Sequence, residues 1–336
     1  MNVNALVMKE INTNLVRKTL QTKREATKHQ IAEATGLSTV TVGTILQTLI
    51  DKNMVFDAGL ADSRGGRPAQ LFRFNENYAH ALILFTHEEN GLDMLYVRVA
   101  DLNGDCVYEY NTPLTDITLH TFEPYIDAAL EKYSSIRVIG FGLPGIEIDG
   151  EIVLLDYPAL VGTPFIKHYQ DRYQLPVIVE NDVNAAGLGY CRRHQMESKG
   201  AIVYLYFPQK YQPGGGICID GQLYKGTSNY AGEVAGMPLG IDWGDPALYT
   251  SRERICEAIA TLIRGISYLL NPHRVILYGK FLTDLHLADI QQRCDALLPA
   301  PSIPQLHLAA DFTLDYQTGI IAETLELLAP QISLSL

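Results

Sequence analysis

The stretch TKHQIAEATGLSTVTVGTILQTLI, residues 27–50, decides how this chain reads. Thr27 is a good helix N-cap, because its hydroxyl can accept a hydrogen bond from an otherwise unpaired N–H of the first turn. The helix runs through Ile31 and Ala34 and stops at Gly36, where a left-handed C-terminal residue is needed. Ser38 then caps a second helix, in which Val40, Ile45, Leu46 and Leu49 are expected to face inward. Helix, glycine-containing turn and Ser-capped helix together form the helix-turn-helix pattern. Ser38, Thr39, Thr41 and Thr44 fall on the outer or leading edge of the second helix. Short hydroxyl side chains there can hydrogen-bond base edges or phosphates, and threonine methyls can touch thymine. With Thr27, these residues are the candidate DNA contacts of the helices. Taken alone, the same Ser and Thr residues are also what simple helix caps require.

Working outward strengthens the DNA-binding reading. Upstream, residues 4–21 place Leu6, Val7, Ile11, Leu15, Val16 and Leu20 at helical spacing. Downstream, residues 54–57 and 70–74 alternate like two short strands. Between them, Asp62-Ser63-Arg64-Gly65-Gly66-Arg67-Pro68 puts Arg64 and Arg67 on a Gly/Pro-rich tip. Such a wing can reach into a narrow, electronegative minor groove, whereas a hairpin without these helices would read as merely solvated. Residues 1–76 are therefore expected to form a winged helix-turn-helix domain that binds double-stranded DNA.

Charge separates this head from the rest. Residues 1–78 carry ten Lys/Arg against seven Asp/Glu, while the remainder carries sixteen against thirty-one. A net charge of −12 excludes a protein coated in nucleic acid, and a basic head on an acidic body lets only the head meet phosphate. The five cysteines, at 106, 191, 218, 256 and 294, form no close pair, which fits a reducing cytoplasm and argues against a disulfide framework. Lys9, Glu10, Arg17 and Lys18 interrupt the N-terminal apolar positions, so no signal peptide is read there. No uncharged apolar run approaches the roughly 20 residues of a membrane span. The expectation is a cytoplasmic protein.

From Tyr78 onward strands alternate with helices, which indicates an α/β body. Strands are expected at 81–85, 94–100, 137–143, 177–179, 201–207, 216–219 and 274–278, with helices at 121–133 and 254–270. Three segments carry a family resemblance: Gly142-Leu143-Pro144-Gly145, Glu180-Asn181-Asp182-Val183-Asn184-Ala185-Ala186, and the glycine-rich residues 214–226. With Ala231-Gly232-Glu233 they resemble the ROK family of sugar kinases and repressors, and the head, with Gly66-Arg67-Pro68 in its wing, looks like the repressor branch. The resemblance implies a two-lobed actin/hexokinase-like (ribonuclease H-like) body over residues 77–336 with a sugar site in its cleft. Lobe one would span about 77–184 plus a C-terminal helix near 316–329, and lobe two about 185–315. Asp182 takes the position of the kinases' base, and a carboxylate there also suits a pure binder because it accepts hydrogen bonds from sugar hydroxyls. Gly145, Asn181, Asp182 and Glu233 are the candidate effector residues. The Asn181-Asp182 pair has a second reading as an Asx turn that caps the following helix.

Four departures from the kinases bear on activity. The turn that should hold ATP phosphates and magnesium is replaced by Thr86-His87-Glu88-Glu89-Asn90-Gly91-Leu92-Asp93, whose carboxylates repel phosphate. Gln209-Lys210-Tyr211-Gln212-Pro213 replaces a Gly-Thr-Gly, and Tyr278-Gly279-Lys280 replaces the paired glycines of the adenosine site. Where the family has a zinc-binding His stands Gly236, and the shortened loop 241–246 carries no cysteine, which also removes a sugar-contacting His. No catalytic residue, cofactor or metal is therefore expected. The leading reading is a homodimeric, or dimer-of-dimers, repressor of carbohydrate genes, bound to a pseudo-palindromic operator and sensing a sugar or sugar phosphate. The alternatives are a sugar kinase with Asp182 as base, or a ligand-blind body that only dimerises.

Overall fold

Local capping chemistry sets the N-terminal elements in the computed structural model, which describes residues 3–61, 68–195 and 200–328. Helix α1 (Val3–Lys23) leads into a three-residue strand β1 (Glu25–Thr27), then α2 (Lys28–Thr35) and α3 (Thr39–Asp51). Thr27 opens α2 with a reciprocal capping box: its Oγ1 accepts from the Gln30 N–H at 3.3 Å, and its own N–H donates to Gln30 Oε1 at 2.8 Å. Gly36 closes α2 at φ 70°, and Ser38 caps α3 by accepting from the Thr41 N–H at 3.1 Å. Strands β2 (Val55–Leu60) and β3 (Gln70–Phe74) pair antiparallel, and β1 adds to the far side of β3. The hairpin tip that joins them, with Arg64 and Arg67, lies outside the described residues.

One core position of α3 differs from expectation. Val42, Ile45, Leu46 and Leu49 are buried against Val16, Leu20, Ile31, Phe72 and Phe74, whereas Val40 is 78% exposed. The helical period explains the correction: 42, 45, 46 and 49 share one stripe, and a residue two positions before 42 points to the opposite side.

The body builds one strand pattern twice. Its first sheet runs β4 (His80–Glu89), β5 (Leu92–Ala100), β6 (Cys106–Leu114), β7 (Ile136–Leu143) and, after the small hairpin β8 (Gly145–Ile148) and β9 (Glu151–Leu155), β10 (Val177–Asn181). Helices α4 (Glu123–Lys132) and α5 (Phe165–Tyr173) are interleaved, and the spatial order is β10-β7-β4-β5-β6. After α6 (Asp182–Arg193) come β11 (Ala201–Tyr206), β12 (Gly214–Ile219), β13 (Gln222–Leu223), α7 (Pro246–Thr250), α8 (Arg252–Leu270), β14 (Arg274–Tyr278), α9 (Asp284–Leu297), β15 (Gln305–Leu308) and α10 (Phe312–Glu326). The second sheet is ordered β13-β12-β11-β14-β15. In each sheet an antiparallel meander is extended by two parallel strands on the side of its first strand.

Helices α6 and α10 fill the space between the sheets. They approach so closely that a Cβ on Gly189 would lie 1.8 Å from the Asp315 carbonyl oxygen, and one on Gly319 would lie 1.8 Å from that of Ala185. Only glycine permits that backbone contact. The interlobe core gathers Ile83, Phe85, Tyr204, Phe312, Tyr316 and Ile320. At its far end α10 meets the head, where Leu325 and the following Leu328 pack against the cluster of Val16, Leu20 and Leu102 as well as against the interlobe core. Gln21 Nε2 also donates to the Leu102 carbonyl. Among the described residues, no helix is long and apolar enough to cross a membrane.

Candidate functional site

The junction of β10 and α6 builds one wall of a cleft between the sheets. Asn181 ends the strand and caps the helix, its Oδ1 accepting from the N–H groups of Val183 (2.9 Å) and Asn184 (3.0 Å). Its Nδ2 donates to the Gly145 carbonyl at 3.2 Å, which ties β8 to the helix start. The cap reading of Asn181 is thus realised, and the side chain spends its polar atoms holding the wall in place. Asp182 follows at the first helical position, buried, with Oδ1 accepting from the Val183 N–H at 2.9 Å. Beneath it Glu180 accepts from Asn184 Nδ2 at 3.2 Å and is ion-paired with Lys225, which also lies 3.6 Å from Glu323.

The cleft has a volume of about 860 Å³, and Gly145, Asn181, Asp182 and Glu233 all line it. All four residues named from the sequence therefore meet in one cavity. A third carboxylate, Asp156, joins them from the loop after β9. Sequence reasoning missed it because Leu155-Asp156-Tyr157-Pro158 resembles an ordinary polar loop start. Burial, then the charges of Asp156 and Glu233, push the Asp182 carboxyl up to about 7. Burial, then Glu233 and Asp93, push Asp156 up to about 6 against the opposing charge of Lys210. Burial raises Glu233 as well. Asn184 lines the same cavity with a buried Oδ1 that has no hydrogen-bond partner. Such a group is normally satisfied by water or ligand.

The neighbouring space is shut. Strands β4 and β5 meet in a two-residue turn at Asn90 (φ 55°) and Gly91 (φ 82°), and Glu88 Oε1 accepts from the Gly91 N–H at 2.5 Å. Side chains from the second sheet's loops clamp this hairpin. Lys280 Nζ donates to Asn90 Oδ1 at 2.9 Å, Lys210 Nζ to Asp93 Oδ2 at 2.7 Å, and Tyr211 Oη to Asp93 Oδ1 at 3.0 Å. Behind the clamp Phe312 stacks on Tyr206 at 4.0 Å and on Tyr278 at 5.5 Å between ring centroids. The remaining cavity, lined by Glu88, Glu89, Tyr278 and Lys280, measures about 30 Å³. Such a space admits water and no larger group.

Gly236 ends a short 3₁₀ turn, and in the loop after it Trp243 is buried against Phe207 at a centroid distance of 5.8 Å. An aromatic side chain thus anchors this segment to the second sheet's core. Among the described residues, the group of His, Cys, Asp and Glu whose ligand atoms converge is His120, Glu123 and His168, on other elements.

On the head, Ser38, Thr39 and Thr44 are exposed at the start of α3, and Thr41 is half-buried with its Oγ1 2.9 Å from Ser38 Oγ. Thr44 Oγ1 donates to the Val40 carbonyl at 3.2 Å. Thr27 is corrected: it is buried, and its hydroxyl is committed to the capping box, so it is withdrawn from the surface. Exposed Val40 and Gln47 belong to the outer face instead, and only the helical phase set by Ile45, Leu46 and Leu49 could have revealed Val40.

Comparison with known proteins places this geometry in context. Residues 89–241 match the family model described as "ROK family". The chain is 26% identical over 292 residues to the xylose repressor of Bacillus subtilis (strain 168), covering 84% of this chain and 74% of that one. It is similar in structure to a ROK family transcriptional regulator described as a homolog of the E. coli MLC protein, with a TM-score of 0.71 at 18% identity over 95% of this chain and 97% of the other. A putative N-acetylmannosamine kinase from Listeria monocytogenes aligns with a TM-score of 0.62 at 14% identity, over 74% of this chain and 99% of the other. The body has the two-lobed α/β fold of the actin/hexokinase type expected from the sequence.

Proposed function

Because the chain carries a ROK family domain, we propose that it is a DNA-binding repressor of sugar-metabolism genes whose body senses an unphosphorylated sugar and performs no phosphoryl transfer. Helix α10 carries this reading. It begins at the cleft with Phe312 and Tyr316, lies against α6 whose first residue is Asp182, and ends in the head's core through Leu325. A ligand that draws the two sheets together moves α10 against α6 and so moves the head. That is the differential contact that coupling between sites requires.

The wide side of the cleft offers carboxylates and an unpaired amide oxygen, which suit neutral hydroxyls. Among the described residues, the one lysine lining it, Lys210, is engaged with Asp93. A sugar phosphate would face Asp156, Asp182 and Glu233 with no unengaged lysine or arginine among the described lining residues, so the unphosphorylated sugar is the expected effector. Phosphoryl transfer needs positioned phosphates and metal, and the ring-filled side offers room for neither. Operator reading falls to Ser38, Thr39, Thr41 and Thr44, with Arg64 and Arg67 on the wing, and paired heads of a homodimer fit two half-sites.

Selection of genomic fragments bound by the full chain tests the reading, with and without a panel of sugars. Enrichment of pseudo-palindromic sites beside carbohydrate genes, released by a free sugar and not by its phosphate, is the expected result. ADP release from Mg-ATP and a hexose above background would overturn the non-enzyme reading, and failure to enrich any fragment would overturn the repressor reading.

A further inference from the structure

A second chemically distinct cluster lies on α5, the start of α4 and the turn before it, on the outer side of the first sheet, where neither the cleft nor the head uses it. His120 Nδ1 and His168 Nε2 each lie 2.8 Å from the same atom, Glu123 Oε1. The three potential ligand atoms lie within 4.8 Å of one another. We propose that His120, Glu123 and His168 bind one divalent transition-metal ion, with zinc as the best match, stapling the start of α4 to α5.

The scaffold around the three side chains does not depend on them. His120 sits on a turn in which the Thr118 N–H donates to Thr121 Oγ1 at 2.8 Å and the Thr121 N–H donates to the Thr118 carbonyl at 3.1 Å. That turn is fastened to α5 because Tyr169 Oη donates to the Leu119 carbonyl at 2.5 Å. Tyr173 Oη donates to the Glu123 carbonyl at 3.3 Å, which fixes the first residue of α4 against the same helix. Both backbones are thus placed before the imidazoles and the carboxylate meet, which makes the site preorganised.

The donor set selects the ligand class. Two imidazole nitrogens and one carboxylate oxygen suit zinc and its first-row neighbours, whereas calcium and magnesium prefer all-oxygen shells. Bonds of about 2.0–2.2 Å set ligand atoms about 3.3 Å apart in a tetrahedron, so each imidazole nitrogen backs off slightly from Glu123 Oε1 while the two nitrogens draw together around the ion. Arg172 Nη1 lies 3.5 Å from Glu123 Oε2 and orients the carboxylate with Oε1 toward the imidazoles. The two rings are nearly perpendicular, at 78° with centroids 5.2 Å apart, so they do not stack across the space the ion needs. His120 is 70% exposed, which gives the ion a route in and leaves a coordination position for water. The site uses no residue of the 236–246 segment.

Tag-free, metal-stripped full chain is titrated with Zn²⁺ against a chromophoric chelator, and with Co²⁺ by visible absorption. The expected result is one ion per chain, with affinity at least tenfold weaker in His120→Ala and in His168→Ala, and a zinc-dependent rise in melting temperature that both variants lose. His120→Ala removes an exposed side chain and tests the site without threatening the fold. The proposal is overturned if the wild type takes up no stoichiometric zinc at micromolar concentration, or if His120→Ala binds as tightly as the wild type.

Discussion

The two sides of the interlobe cleft share His87, Glu88, Tyr206, Pro208 and Gln209 yet have opposite characters. One is an open cavity of about 860 Å³ whose walls hold four carboxylates, of Glu88, Asp156, Asp182 and Glu233; the other is reduced to about 30 Å³ by stacked rings and a clamped hairpin. Asp182 remains in place, and with its carboxyl raised to about 7 it could still accept a proton near neutral pH. Loss of phosphoryl transfer in our reading therefore comes from filling the phosphate space with rings and lining it with the Glu88 and Glu89 carboxylates, not from removing the base. A scaffold can keep one carboxylate-lined wall open while the neighbouring wall becomes core.

The strongest way to break this contrast is to empty the closed side. Phe312→Ala should cost about 3–5 kcal/mol of stability, as for other buried aromatic truncations, measured by urea denaturation. ADP release should stay at background, since Glu88 and Glu89 still line the vacated space. Turnover in this variant would reduce the ring stack to a removable plug. Next comes the contact between α6 and α10: Gly319→Ala should cost about 3 kcal/mol, because the new methyl must displace the Ala185 backbone. Thermal unfolding checks it, and an unchanged melting temperature would mean that α6 and α10 slide freely.

The open side has a pH signature. Asp182 has its pKa raised on folding from 3.8 to about 7, so the folded chain holds a proton that the unfolded chain releases. That contribution to stability is fully present below about pH 4 and is lost as pH rises through about 7. Asp182→Asn should therefore match the wild type near pH 4 and exceed it at pH 8 by on the order of 4 kcal/mol. Denaturant midpoints at the two pH values test this. A variant less stable at pH 8 would show that the carboxylate is held by attraction instead of being penalised by burial and Asp156.

The sequence reached some of this and missed the rest for identifiable reasons. Thr27, Gly36 and Ser38 mark helix ends through chemistry local to a few residues, so α2 and α3 were legible to within a residue. Val40 was misplaced because two valines, at 40 and 42, compete for one stripe, and only the positions further along α3 settle the phase. The strand β6 went unread because it is a half-exposed edge strand containing Pro113, without a buried apolar run. Asn181, Asp182 and Glu233 stand in recognisable motifs, but Asp156 becomes a cleft residue only when the β8–β9 hairpin brings its loop opposite α6. Ring stacking by Phe312 was equally invisible, since it joins the first residue of α10 to strands more than thirty residues away.

The smallest expected effect concerns the rim of the closed side. Lys280 spans from the loop after β14 to Asn90 at the β4–β5 turn through one exposed hydrogen bond. An exposed contact of this kind contributes about 0.5 kcal/mol or less, so Lys280→Ala should leave the melting temperature nearly unchanged. Its effect should appear instead in the turn, as faster amide hydrogen exchange at Asn90 and Gly91 while the amides of β4 stay protected. Rings and rim make separable claims about what closes this side. If the rings close it, Lys280→Ala still fails to bind a non-hydrolysable ATP analogue by fluorescence titration. If that variant binds the analogue and Phe312→Ala does not, the closure resides in the clamp, and the ring stack is packing that any ROK-like core would tolerate.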